Sequence, residues 1–209
     1  MSLDSRLVNL AALGRKLVEG GFARGKSGSI SLHWEDQCYI SPAGGRLDRL
    51  SAADFVPLSI QGSNTWQTAR ASRDHAVHLA CYRARPDAQN VILVHPPHCL
   101  ALGCAGLGIG AISPDFYRAV GTEAPLLPYS TPGTQALADA FGQAMAGHDA
   151  VLLRNIGLVL VAANSDEALL HSQIVEEAAR IMLLALAATG SCSFLTPEQI
   201  EELGGAGGR

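Results

Sequence analysis

Three uninterrupted apolar runs constrain this chain more than anything else in it. Val91-Ile92-Leu93-Val94, Ala150-Val151-Leu152-Leu153 and Leu158-Val159-Leu160-Val161-Ala162 have no polar residue on either alternation. They are too short for helices and read as strands buried on both faces. Such strands need cover on both sides, and the rest of the chain supplies helical patterns. Leu3, Leu7, Leu10, Leu13 and Leu17 recur at helical spacing, so 3–20 reads as an amphipathic helix stopped by Gly20-Gly21. Residues 72–84, 98–104, 134–146 and 164–188 also read as helices. Ser72 is a candidate N-cap for the first of these, and Asn164 or Ser165 for the last. Ile30, Leu32 and Trp34 alternate as a strand with 37–41 as its hairpin partner. Residues 55–60 and 126–127 add short strands, and 106–110 is a loose glycine-rich link. Strands and helices mix without strict βαβ alternation. The expectation is an α/β fold with a mainly antiparallel sheet between helices.

With 209 residues, the chain can form one α/β domain with a proper core. We expect that domain over 1–190 and a C-terminal tail over 191–209, mobile at its GGAGGR end. The formal net charge of −4 argues against a nucleic-acid partner or a polybasic membrane patch. The longest apolar stretch, 181–188, is too short for a membrane span. Five cysteines form no C-x-x-C pair and leave an odd thiol, and the N-terminal apolar run carries charges unlike a signal peptide. Both point to a reducing compartment and a cytoplasmic address.

The candidate chemistry lies in a few places. His95 follows a buried strand and opens onto Pro96-Pro97, with His98 three residues later. Asp74 and His78 sit at i and i+4, on one face of the predicted helix. A divalent ion wants three or four donors converging from different elements. His95, His98 and Asp74 supply that only if the strand end meets the helix start; otherwise each satisfies a local hydrogen bond. The loops at Gly28-Ser29, Ala43-Gly44 and Ser72-Arg73 combine small residues, hydroxyls and one cation, which suits an anion but also suits ordinary turns. Neither glycine loop matches a P-loop or a dinucleotide fingerprint. Tyr117 and Tyr129 are candidate proton donors, or simply packed amphipathic residues. Cys99 beside His98 is not expected to form a thiolate pair, because neighbours on an extended segment face opposite ways.

Taken in order, the pieces resemble the class II aldolase/adducin family over residues 5–190. GKSGSISL at 25–32 is similar to its G-x-x-G-N-x-S segment, ISPAG at 40–44 to its T-P-x-G turn, and ASRD at 71–74 to its S-S-E. HLACYRARPDAQNVILVHPPHCLAL at 78–102 is similar to the stretch running from H-x-x-x-Y-x-x-R-P-D to H-x-H. PLLPYSTPGT at 125–134 and AVLLRNIGLVLVAAN at 150–164 match two further segments. SPDFYRAVG at 113–121 resembles the oxo-tetronate phosphate decarboxylase branch. The resemblance implies a three-layer α/β/α domain, a homotetramer with sites near subunit interfaces, and a zinc-type ion on three histidines. That ion would stabilise an enediolate as a Lewis acid. The positions carry over unevenly. The first ligand falls on Leu93, the second on His95 and the third on Ile156. Hydrocarbon cannot coordinate, which leaves His98 as the available substitute. The acid/base carboxylate falls on Asp74. Phosphate-binding positions fall on Gly28, Ser29, Ala43, Gly44, Ser72 and Arg73. The proton-donor tyrosine falls near Pro114, with Tyr117 one turn on.

Two functions compete on these residues. One is an aldolase-like lyase, by aldol cleavage or decarboxylation, acting on a small phosphorylated sugar or sugar acid; its variant without an ion uses Arg73 to stabilise the enolate. The other is a non-catalytic, adducin-like binding or assembly module. Leu93 and Ile156 favour the second, and the Ser72-Arg73-Asp74 cluster favours the first.

Overall fold

A computed structural model describes residues 2–62 and 68–205. Helix α1 (Leu3–Glu19) starts where the Ser2 hydroxyl accepts from the Ser5 N–H, and it buries the periodic leucines 7, 10, 13 and 17. Strand β1 (Ser29–Trp34) turns through Glu35 and Asp36 into β2 (Gln37–Ile40), and β3 (Val56–Ser59) follows. Next come α2 (His75–Ala84), β4 (Asn90–Val94), α3 (Pro97–Ala105), β5 (Ile109–Gly110), α4 (Pro114–Val120), β6 (Glu123–Ala124) and β7 (Leu126–Leu127). The chain continues with α5 (Gln135–Met145), β8 (Ala150–Leu153), β9 (Gly157–Ala162), α6 (Ser165–Thr189) and α7 (Pro197–Gly205).

Seven strands form one sheet in the order β3-β2-β1-β4-β9-β8-β7. Every pairing is antiparallel except β7 with β8. The three apolar runs are β4, β8 and β9, and each residue of these strands from Val91 onward is buried and apolar. Alternation divides them between two cores. Ile92, Val94, Leu158 and Leu160 pack with α1, α3, α4 and α6. Val91, Leu93, Val159 and Val161 pack with α2 and α5. This is the expected sheet between helix layers. Burying each such side chain contributes roughly 1.5–3 kcal/mol.

Three local expectations change. Ser72 is not the N-cap of α2; Asp74 occupies that position without a side-chain cap bond, and α2 starts one residue later than Asp74. The link at 106–110 contains β5, which pairs with β6. The stretch after 190, read as a tail, carries α7. Leu195 donates its N–H to the Ala111 carbonyl, and Leu195 and Ile200 pack on the α1/α6 core. Its amphipathic pattern is only two turns long, too short to stand out in the sequence. Residues 206–209, the end of the expected mobile tail, lie outside the described residues. Among the described residues no helix is long and apolar enough to cross a membrane.

Candidate active site

The site begins where the chain enters β1. Gly28 has φ +85°, and a Cβ there would come within 3.0 Å of the Leu93 carbonyl oxygen. Only glycine combines that backbone with so close an approach to β4. After β2, Ser41 exchanges hydrogen bonds with Ile30: its N–H donates to the Ile30 carbonyl, and its hydroxyl accepts from the Ile30 N–H. Pro42 bridges to Ala71, Ala43 N–H donates to the Arg70 carbonyl, and Ser72 N–H donates to the Ser41 carbonyl. These bonds draw the loops at Gly28, Ala43-Gly44 and Ser72-Arg73 to one end of the sheet. Ala43, Gly44 and Arg73 are exposed there, while Ser72 is buried. Arg73 makes no ion pair among the described residues.

Behind this surface, Asp74 is held by hydroxyls. Ser29 Oγ donates to Asp74 Oδ2 at 3.0 Å and Ser72 Oγ at 3.4 Å. Ser29 is fully buried and also bonds His78 Nε2 at 2.8 Å. Its side chain is thus engaged with Asp74 and His78, where the resemblance implied a phosphate contact. The i, i+4 spacing of Asp74 and His78 has a physical meaning: both reach the same serine.

His95 lies two residues beyond Leu93, on the same alternation of the strand. Its Nδ1 is 2.6 Å from the Ile156 carbonyl oxygen, which can only accept, so Nδ1 carries the proton and Nε2 is left for other work. Gly157 makes this possible, since any Cβ there would collide with the Val94 carbonyl and crowd His95 Nδ1. A cavity of about 560 Å³ opens beside His95, lined also by Arg24, Ser27, Leu100, Asn155 and Ile156. A second cavity of about 450 Å³, bounded by Arg6, Leu32 and Asn90, opens at the opposite end of β1.

The other expected participants are elsewhere. His98 is held by Glu176 of α6: the carboxylate accepts from His98 Nδ1 at 2.8 Å and from the His98 and Cys99 N–H groups at 3.0 Å each. Glu176 thereby caps α3 and holds the His98 ring through Nδ1. Cys99 lies on this helix rather than on an extended segment. Burial, with the nearby Glu176 charge, pushes its thiol well above the usual range, so it is inert. Tyr117 packs on the α1/α6 core, on the sheet face opposite α2, so one chain does not bring it to Asp74. Tyr129 is exposed.

Comparison with known proteins agrees with this fold. Residues 8–183 match the family model described as class II aldolase and adducin N-terminal domain. The chain belongs to the class II aldolase and adducin family. It is 31% identical over 180 residues to L-fuculose phosphate aldolase of Escherichia coli, covering 86% of this chain and 83% of that protein. It is 25% identical over 200 residues to 3-oxo-tetronate 4-phosphate decarboxylase of Haemophilus influenzae, covering 93% of each. A solved L-fuculose 1-phosphate aldolase superposes with a TM-score of 0.87 at 27% identity, covering 99% of this chain and 97% of that one.

The ion implied by membership of the class II aldolase and adducin family does not fit the residues present. Leu93 is buried in the α2/α5 core, opposite Ser29 on one side and Val159 on the other. Ile156 leans on the same core and offers only its backbone carbonyl, which His95 already uses. Among the described residues no three His, Cys, Asp or Glu side chains converge as a metal site.

Sequence reasoning missed Ser31, Tyr82 and Glu176. A signal for the first was available: Ser29 and Ser31 form a polar alternation on a strand whose other face is Ile30 and Leu32. Polar groups on a central strand need buried partners. Nothing in the sequence joins Glu176 to His98, 78 residues earlier.

Proposed function

We propose that this chain is a lyase that breaks a carbon–carbon bond, by aldol cleavage or decarboxylation, in a small phosphorylated sugar or sugar acid. The observation that carries this reading is the meeting of an exposed anion-suited surface with two proton-handling groups at one end of the sheet. Gly28, Ala43, Gly44 and Arg73 form the surface, by backbone approach and one cation, with Ser72 buried behind them. Asp74 moves a proton at its carboxylate. His95, with Nδ1 fixed on Ile156, presents Nε2 to a substrate oxygen from the wall of the cavity. Both groups reach the α2 side of the sheet, because Ser29, which holds Asp74, pairs with Leu93, two residues before His95. The names of the relatives, an aldolase and a decarboxylase acting on phosphorylated compounds, support the class of substrate.

No step is assigned to a metal ion, because the donor set does not fit one. We also expect a homotetramer with a tyrosine such as Tyr117 reaching the site of a neighbouring copy. The exposed Leu170, Ile181 and Leu184 of α6 are apolar surface that a second copy would cover. The observation favouring the second reading, a non-catalytic binding module, is the same filling of the ligand positions by Leu93 and Ile156.

The test is a screen of phosphorylated ketoses and keto acids with chelator present, scored for released aldehyde or carbon dioxide. Cleavage that is lost in His95→Ala and in Asp74→Asn is the expected result. Binding of sugar phosphates without turnover would establish the module instead, and neither binding nor turnover would defeat both readings.

A further inference from the structure

A buried line of hydrogen bonds runs from Tyr82 to Asp74, and the direction of every proton along it can be worked out. Ser29 has one hydroxyl proton, donated to Asp74 Oδ2, since a carboxylate only accepts. The 2.8 Å bond between Ser29 Oγ and His78 Nε2 must then be donated by the nitrogen. His78 is fully buried, and desolvation, with the neighbouring His75 acting the same way, holds its pKa down to about 3. It is therefore neutral, and a neutral ring with Nε2 protonated has a bare Nδ1. Nδ1 accepts from Ser31 Oγ at 2.7 Å, so Ser31 in turn accepts from the Tyr82 hydroxyl at 2.8 Å. This order matches each donor to an acceptor, as buried polar groups require. The other titratable groups nearby are Arg73 and His75 flanking Asp74, His33 against the Tyr82 ring, and the buried thiols of Cys38 and Cys81.

We propose that Ser29 and His78 are positioning residues for Asp74: Tyr82, acting through Ser31, holds His78 as its Nε2–H tautomer, and His78 fixes the Ser29 hydroxyl on the carboxylate. This rests on the reading of Asp74 as the proton-handling group. The arrangement also selects an oxygen. Ser29 and Ser72 both donate to Oδ2, which leaves Oδ1 to meet a substrate proton. A proton gained at Oδ1 disturbs none of the bonds behind it. The line thus keeps the carboxylate oriented in the resting protein without taking part in the chemistry.

Long-range proton–nitrogen correlation on histidine-labelled protein reads the tautomer directly. The expected result is His78 neutral from about pH 5 to 8 with Nε2 protonated. In Ser29→Ala, kcat falls by about tenfold or more with KM little changed. Ser29→Thr keeps the hydroxyl and restores most of the turnover. An Nδ1–H tautomer, a charged His78, or an unchanged kcat in Ser29→Ala each overturns the proposal. The tautomer measurement uses wild-type protein without substrate. It decides the direction of the line even where Ser29→Ala does not fold. A protein that cleaves no sugar phosphate would defeat the lyase reading while leaving this result standing.

Discussion

Two neighbouring corners on the α2 side of the sheet treat the space between strands and helices in opposite ways. Around Asp74, the buried polar groups Ser29, Ser31, His78 and Tyr82 are joined to one another. Around His95, two positions where the family resemblance implies ligands hold Leu93 and Ile156, and the single histidine is tied to a backbone carbonyl. One corner holds a carboxylate by polar contacts that would be costly to bury unless each were satisfied. The other has been filled with hydrocarbon, which packs well and coordinates nothing. Holding a carboxylate and holding an ion rest on different side chains, so one can be present without the other.

The comparison can be broken most directly at Asp74. Asp74→Asn keeps the volume and removes the base, so turnover of a cleaved sugar phosphate falls by about 10²–10⁴-fold while the melting temperature stays close to wild type. A variant with full turnover would remove the first corner from the chemistry. The second corner is broken by rebuilding it. Leu93→His with Ile156→His places two imidazoles beside His95. We expect elemental analysis to find zinc near one per chain in the double variant and well below that in wild type, with zinc raising the variant's unfolding midpoint by several degrees. Stoichiometric zinc in the wild type would show that other donors complete the site.

The buried histidine gives a prediction in pH. The folded state holds the His78 pKa at about 3, below the ordinary 6.5, so the unfolded chain binds the extra proton between those values. Its contribution to stability is therefore complete above about pH 6.5 and is lost as pH falls toward 3. In His78→Gln that part of the acid sensitivity should disappear. Denaturant unfolding at pH 7 and pH 5 measures it, and an equal drop in both proteins would refute the claim. The smallest expected effect is at Arg85, which binds Asp87 through two nitrogens and reaches Asp149 before β8. Arg85→Gln should cost about 1–2 kcal/mol in denaturant unfolding and leave the pH–rate profile unmoved. A shifted profile would mean that this tie, at the far end of α2, also sets the Asp74 corner.

Much of the fold was legible in the residues. The runs at 91–94, 150–153 and 158–162 could only be doubly covered strands, and the leucine spacing of α1 and the Asn164 cap of α6 were local facts. The order of motifs was enough to place the family and to show that Leu93 and Ile156 cannot coordinate an ion. Helix α7 was not legible, because two amphipathic turns become a helix only against a core that the sequence does not display.

The site divides in the same way. The sequence determined which side chains exist: a carboxylate at 74, a histidine at 95, serines at 29 and 31, and hydrocarbon at 93 and 156. Only the tertiary structure decided their partners. Ser29 met Asp74 and His78, His98 went to Glu176, and Tyr117 went to the opposite face. Hydrogen bonds need atoms about 3 Å apart with matched donors and acceptors, and that condition is set by the pairing of strands and the seating of helices far apart in the chain.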